Sequence, residues 1–167
     1  TETALHLAVK NSNIEIIKLL VNHPHIDVNK KSSKYFYQNG INNKPSHEKS
    51  TALNMAVING DDEIISILLA NKNIDYNYQS VNYIDDMKFE WNPLTISIYY
   101  NKNDIAKKLL SLDKININSE IMISKPFLYT DIQSALYLAI DKENYEIVNI
   151  LLMRPEINVN YVSIYMS

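Results

Sequence analysis

The stretch TALNMAVINGDDEIISILLANKNIDYN, Thr51 to Asn77, returns three more times along this chain, and that repetition constrains the fold more than any other feature. Thr3-Ala4-Leu5, Thr51-Ala52-Leu53, Asn92-Pro93-Leu94 and Ser134-Ala135-Leu136 open four units. Asn29, Asn77, Asn118 and Asn160 close them, each 26 positions later and without internal gaps. A unit this small cannot bury an apolar face alone, so copies must stack and share a continuous core. The starts fall 48, 41 and 42 residues apart, which confines all variation in length to the joins between units.

Each unit reads as two antiparallel helices. Thr3, Thr51, Asn92 and Ser134 carry short side-chain oxygens suited to an N-cap, and Pro93 stands at a first helical position, where a missing amide does no harm. Leu5, Leu7, Ala8 and Val9, with their equivalents, make the first helix apolar around much of its girth. The Ala8, Ala56, Ser97, Ala139 column lets neighbouring helices approach closely. The chain must then reverse near Ser12, Gly60, Asn101 and Glu143; Gly60 takes a left-handed conformation freely and Asn101 fairly well, whereas strain is expected at Ser12 and Glu143. Asn13, Asp61 and Asn144 are the expected caps of the second helix, with Lys102 the departure. Glu15, Glu63, Asp104 and Glu146 suit the positive end of its dipole. Lys108 interrupts the apolar stripe of the third unit, which is therefore expected to pack less well. Alternating tetrads, from Ile26-Asp27-Val28-Asn29 to Ile157-Asn158-Val159-Asn160, return the chain.

These units resemble ankyrin repeats, whose T-P-L-H-x-A signature is matched best by Thr3-Ala4-Leu5-His6-Leu7-Ala8. The resemblance spans 108 of the 167 residues. It implies an all-α fold: one array, 1–167, of four helix-turn-helix units at 3–29, 51–77, 92–118 and 134–160, joined by hairpin-like fingers at 30–50, 78–91 and 119–133, within a longer parent chain. It also implies a non-catalytic module that binds a protein or peptide through the concave face of the first helices. His6 is implied to bond the loop of its own or the next unit, although Asn54, Thr95 and Tyr137 replace it elsewhere. Hydroxylation of the closing asparagines is implied too, but their turn-forming role accounts for them without it.

The fingers, of 21, 14 and 15 residues, are longer than the roughly 6 residues the family needs. Added loop length is entropically cheap, about 0.6 kcal/mol per doubling. Nine of the sixteen aromatic residues fall in them: Tyr35, Phe36, Tyr37, Tyr78, Tyr83, Phe89, Trp91, Phe127 and Tyr129. Exposed rings bring contact area at small entropic loss, and the competing reading is that they fold each finger back on its neighbours. Asn39-Gly40 beside Tyr35-Phe36-Tyr37 signals a hairpin turn. In the groove, Ile58, Tyr99 and Tyr100 have no packing duty in the family pattern. The candidate partner-binding residues are therefore Tyr35, Phe36, Tyr37, Ile58, Tyr83, Phe89, Trp91, Tyr99, Tyr100, Phe127 and Tyr129, with the sharpest patch at Tyr99, Tyr100 and Trp91. The first finger is basic and the second acidic, a polarity that could orient an acidic peptide.

Other chemistry finds little support. Two glycines cannot build a glycine-rich phosphate loop. His23-Pro24-His25 lacks the further ligands a metal requires, and no nucleophile elbow occurs. No catalytic, cofactor or metal site is expected. The absence of cysteine fits a reducing, cytoplasmic setting. The net charge of −3 argues against a dedicated nucleic-acid binder, leaving the basic first finger as the weaker route to one. No apolar run reaches the roughly 20 residues of a membrane span. A structural spacer, or self-association through uncapped end units, is the alternative to partner binding.

Overall fold

The computed structural model describes residues 2–37, 45–84, 87–125 and 127–166, and side chains throughout these except at 33–37, 45–48 and 84. Four helix pairs follow one another: α1 (Ala4–Lys10) and α2 (Ile14–Val21), α3 (Ala52–Asn59) and α4 (Asp62–Leu69), α5 (Pro93–Tyr99) and α6 (Asn103–Leu110), α7 (Ala135–Asp141) and α8 (Tyr145–Leu152). First helices pack on first helices, α1 on α3 on α5 on α7, and α2 packs on α4 as α6 does on α8. Thr3, Thr51, Asn92 and Ser134 cap as expected, accepting from the amides of His6, Asn54, Thr95 and Tyr137. The reversals are left-handed at each expected residue, with φ of 48° at Ser12, 84° at Gly60, 52° at Asn101 and 53° at Glu143.

The all-α expectation is wrong. Six strands pair within the fingers: β1 (Ser32–Tyr37) with β2 (Pro45–Ser50), β3 (Ser80–Ile84) with β4 (Met87–Trp91), and β5 (Glu120–Lys125) with β6 (Tyr129–Ser134). The hairpins then join edge to edge, and with β7 (Ile164–Met166) they form one antiparallel sheet in the order β1 to β7. Lys49 pairs with Val81, Phe89 with Ile123, and Asp131 with Tyr165. The reason is a match of spacings. Stacked helices lie about 8–10 Å apart, and two strands occupy about 9.5 Å. One hairpin per unit therefore places each outer edge within hydrogen-bonding distance of the next, and the edges close on one another rather than stay bare. The Asn39-Gly40 turn lies outside the described residues.

The core runs the length of the stack and extends into the sheet, taking in Leu53, Leu94, Leu109 and Leu151 from the helices and Phe89, Trp91 and Ile121 from the strands. The third unit packs as well as the others, against expectation: Ile105, Ala106, Leu109 and Leu110 are all buried. Lys108 stands in a column whose other members are Leu19, 75% exposed, and the half-buried Ile67 and Ile150, so it displaces no core residue. Its ammonium instead reaches back to Asp62 and to Ser66 Oγ (2.7 Å) on α4. Asp61, expected to cap α4, makes no cap bond; its carboxylate accepts from Ser12 Oγ at 3.2 Å.

Polar side chains tie unit to unit. Asn29 donates to the Asn73 carbonyl (2.7 Å) and accepts from the Asp75 amide (2.8 Å). Asn77 does the same with Lys114 and Asn116, both at 2.9 Å, and Asn118 with Glu156 (2.9 Å) and Asn158 (2.8 Å). His6 is fully buried, with Nε2 3.0 Å from the Ser50 carbonyl that leads into the second unit and Nδ1 2.7 Å from Thr3 Oγ1. A carbonyl can only accept, so Nε2 carries the proton and Nδ1 accepts from the threonine hydroxyl. Asn54, in the same column, instead ties its own unit to the start of the second finger, donating to the Tyr78 carbonyl and Ser80 Oγ.

Candidate functional site

Alternation along β4 turns Met87, Phe89 and Trp91 to one face of the sheet, the face on which α5 brings Tyr99 and Tyr100. Phe89 and Trp91 pack with ring centroids 4.7 Å apart. Tyr99 meets both edge-on at 5.5 Å, and Tyr100 lies 5.8 Å from Trp91 and 5.2 Å from Tyr99. Edge-to-face packing at these separations is favourable beyond the area buried.

The cluster has a floor and a rim. Phe89 is 1% exposed and Trp91 not at all, with the indole N–H donating to Asn82 Oδ1 at 2.8 Å. These two are therefore not surface residues, contrary to their candidacy: their rings face the helices and Asn82 satisfies the indole. Tyr99 is half-buried and Tyr100 37% exposed. Burial raises both phenol pKa values, helped by Tyr129 at Tyr99 and by Tyr99 at Tyr100. Lys142 Nζ sits 4.8 Å from the Tyr99 ring centroid, and Lys102 Nζ 5.6 Å from that of Tyr100.

The aromatic surface continues onto the sheet. Tyr129, half-buried on β6, donates its hydroxyl to Met87 Sδ (3.2 Å) and stacks on Tyr165 of β7 at 5.9 Å and 18°. Tyr100, Tyr99, Tyr129 and Tyr165 thus border one face from the first helices to the sheet edge. Tyr165, 67% exposed, was missed because it lies beyond the closing Asn160; the signal was that residues after each closing asparagine begin a finger strand. Met87 was also missed.

The remaining candidates scatter. Ile58 is half-buried and packs against the core, and Tyr83 is half-buried on β3, one residue from the inward Asn82 and so on the opposite face. Phe127, 97% exposed at φ 63°, sits in the turn of the third finger. Tyr35, Phe36 and Tyr37 belong to β1, and their side chains lie outside the described set, as do those of Lys34, Lys44 and Glu48 in the same basic finger. His23 and His25 have ring centroids 5.8 Å apart, and among the described residues no group of three or more His, Asp or Glu could hold a metal ion. No described helix is long and apolar enough to cross a membrane.

Comparison with known proteins agrees with this geometry. A family model for ankyrin repeats in three copies matches residues 31–121, and a single ankyrin-repeat model matches residues 2–33. The chain belongs to the ankyrin-repeat family, and ankyrin repeats are generally non-enzymatic modules for protein–protein interaction. The crystal structure of EF0377, an ankyrin repeat protein, is similar at a TM-score of 0.66 and 19% identity, over 98% of this chain and 68% of that one, which shows the fold alone. A comparison with curated proteins returned no match. The fourth unit, beyond both family matches, rests on its own geometry: the α7–α8 pair, the Ser134 cap and the left-handed Glu143.

Proposed function

We propose that this chain captures a protein segment on the tyrosine-bordered face between the first helices and the sheet, with Tyr99, Tyr100, Tyr129 and Tyr165 as the contact residues. The observation that carries the reading is the division of labour in the aromatic cluster. Phe89 and Trp91 are sealed beneath, so Tyr99 and Tyr100 stand on a rigid floor while part of each ring stays open to solvent. Rings held in this way add contact area without a large loss of rotamer freedom on binding, the property that concentrates binding energy in Tyr and Trp. Long fingers serve the same end by widening the face beyond the helices. The lack of cysteine suits a reducing compartment, and a cytoplasmic setting is part of this reading.

The test is affinity capture with wild type, Tyr100→Ala and the double variant Tyr129→Ala/Tyr165→Ala, alongside thermal melts. Loss of a captured protein in both variants with melting temperatures held supports the reading. Unchanged capture overturns it.

A further inference from the structure

The four columns that hold the aromatic cluster in the third unit, at Phe89, Trp91, Tyr99 and Tyr100, are filled in the fourth by Asp131, Gln133, Asp141 and Lys142. A polar patch therefore lies directly beside the rings. Phe89 pairs with Ile123, Ile123 with Asp131 and Asp131 with Tyr165, and residues opposite one another across strands share a face. Tyr129, two positions before Asp131 on β6, shares it too. Among the described strand residues Asp131 is the one carboxylate on that face. β6 is paired along both edges, by β5 and β7, so further strands beyond β7 would widen the sheet without covering Asp131.

Asp131 is half-buried and forms no ion pair with a described residue. Its Oδ2 accepts from Gln133 Nε2 at 2.7 Å. Gln133 is 8% exposed, and with its amide N–H given to the carboxylate its Oε1 is left buried without a donor. Turning the amide over would set that oxygen against the carboxylate, so the deficit cannot be relieved from within. Beside this pair the Tyr129 and Tyr165 rings lie nearly parallel, their centroids 5.9 Å apart at 18°. What the patch lacks is a planar cation with several donors.

The geometry points to an arginine as the anchor of the captured segment, its guanidinium on Asp131 and against the rings of Tyr129 and Tyr165; this rests on the tyrosine-bordered face being the binding surface. A guanidinium grips a carboxylate with two parallel N–H bonds, has further donors for Gln133 Oε1, and lies flat on aromatic rings. An ammonium offers no such plane. The lysines of this face do not fill the place: Lys142 is drawn over the Tyr99 ring, and Lys125, opposite Tyr129 at the end of β5, is exposed. An acidic segment would instead set its carboxylates against Asp131 and Asp141.

The experiment is selection of random linear peptides, displayed on phage, against the whole chain. The selected peptides are then titrated by fluorescence polarisation against wild type, Asp131→Asn and Tyr129→Ala/Tyr165→Ala, with thermal melts to check each fold. Asp131→Asn keeps the shape and an acceptor for Gln133 while removing the charge. The selected peptides are expected to share an arginine and to bind Asp131→Asn at least about tenfold more weakly. Replacing that arginine by citrulline, which keeps its shape and loses its charge, should cost as much, and lysine should not restore it. Peptides that need the tyrosines yet share no arginine, that are rich in Asp and Glu, or that bind Asp131→Asn as well as wild type would overturn the proposal and leave the binding face standing. A selection that yields no peptide sensitive to the tyrosine variant would overturn both.

Discussion

Lys102 holds an N-cap position yet serves the C-terminus of another helix. It makes no cap bond to α6; its ammonium donates to the Val57 and Ile58 carbonyls at 3.1 and 2.6 Å, where the orphan carbonyls and negative dipole end of α3 favour a cation. Burial lowers its pKa, with Asp61 opposing. The neighbouring Gly60 has two reasons to be glycine: φ is 84°, and a Cβ there would lie 2.9 Å from Lys102 Nζ. Gly60→Ala should therefore lower stability by about 1–2 kcal/mol in urea denaturation. The reverse change should help where a side chain already bears the strain, and Glu143→Gly, at φ 53°, is expected to gain about 0.5–1 kcal/mol. Ser12→Gly should gain less, since it also removes the bond to Asp61. His6 gives a pH dependence. Burial lowers its pKa below 6.5, against smaller raising effects from the Ser50 carbonyl and Glu2. The unfolded chain then takes up a proton before the folded one does. Its contribution is whole above about pH 6.5 and is lost as pH falls through the folded value. His6→Asn puts there the residue that the second unit uses in the same column, so its melting temperature should fall less steeply between pH 7 and roughly pH 5 than wild type.

Among the elements, helices were legible and the sheet was not, for a physical reason. Helix signals are local: Thr3, Asn92 and Ser134 announce caps within a few residues of the apolar positions they serve, and Ser12 and Glu143 were identified as left-handed by register alone. Strand pairing between fingers depends instead on the spacing of units in the finished stack, which no single finger encodes. Ser80–Ile84 and Glu120–Lys125 alternate in the manner of strands, but which edge they meet is settled by the neighbouring helix pair. The same blindness misplaced Trp91. It is a finger residue expected to stand beside the groove patch as a contact residue, whereas β4 turns it inward and the cluster with Phe89 and Tyr99 closes over it. Tyr99 and Tyr100 stayed on the accessible side because they end α5 instead of lining its buried stripe. Trp91→Ala is therefore expected to destabilise by about 3–5 kcal/mol, in the range of large-to-small core changes, as measured by urea midpoint. Tyr100→Ala should lie below about 1 kcal/mol.

At the scale of the molecule, stability in a stack is a sum of unit stabilities and couplings between neighbours, so a side chain that bridges units counts differently from one that serves its own. The closing asparagines separate the two roles. All four accept an intra-unit turn: the amides of Asn29, Asn77, Asn118 and Asn160 donate to Asp27, Asp75, Asn116 and Asn158 side chains at 3.0–3.2 Å. That turn uses the backbone of the closing residue, so replacing its side chain leaves it intact. Only the first three asparagines also use their side chains to clamp the next unit; Asn160 is exposed and meets no neighbouring unit among the described residues. If the column were kept for turn formation alone, alanine would have the same small effect at every member. If the clamp matters, Asn77→Ala removes two bonds between the second and third units, each worth about 0.5–1.5 kcal/mol net. The expected loss is then about 1–3 kcal/mol, with a broader urea transition as the two halves of the stack begin to melt separately. Asn160→Ala should stay within about 0.5 kcal/mol of wild type. Equal losses at both positions would assign the asparagines to the turn and leave the coupling between units to their apolar faces.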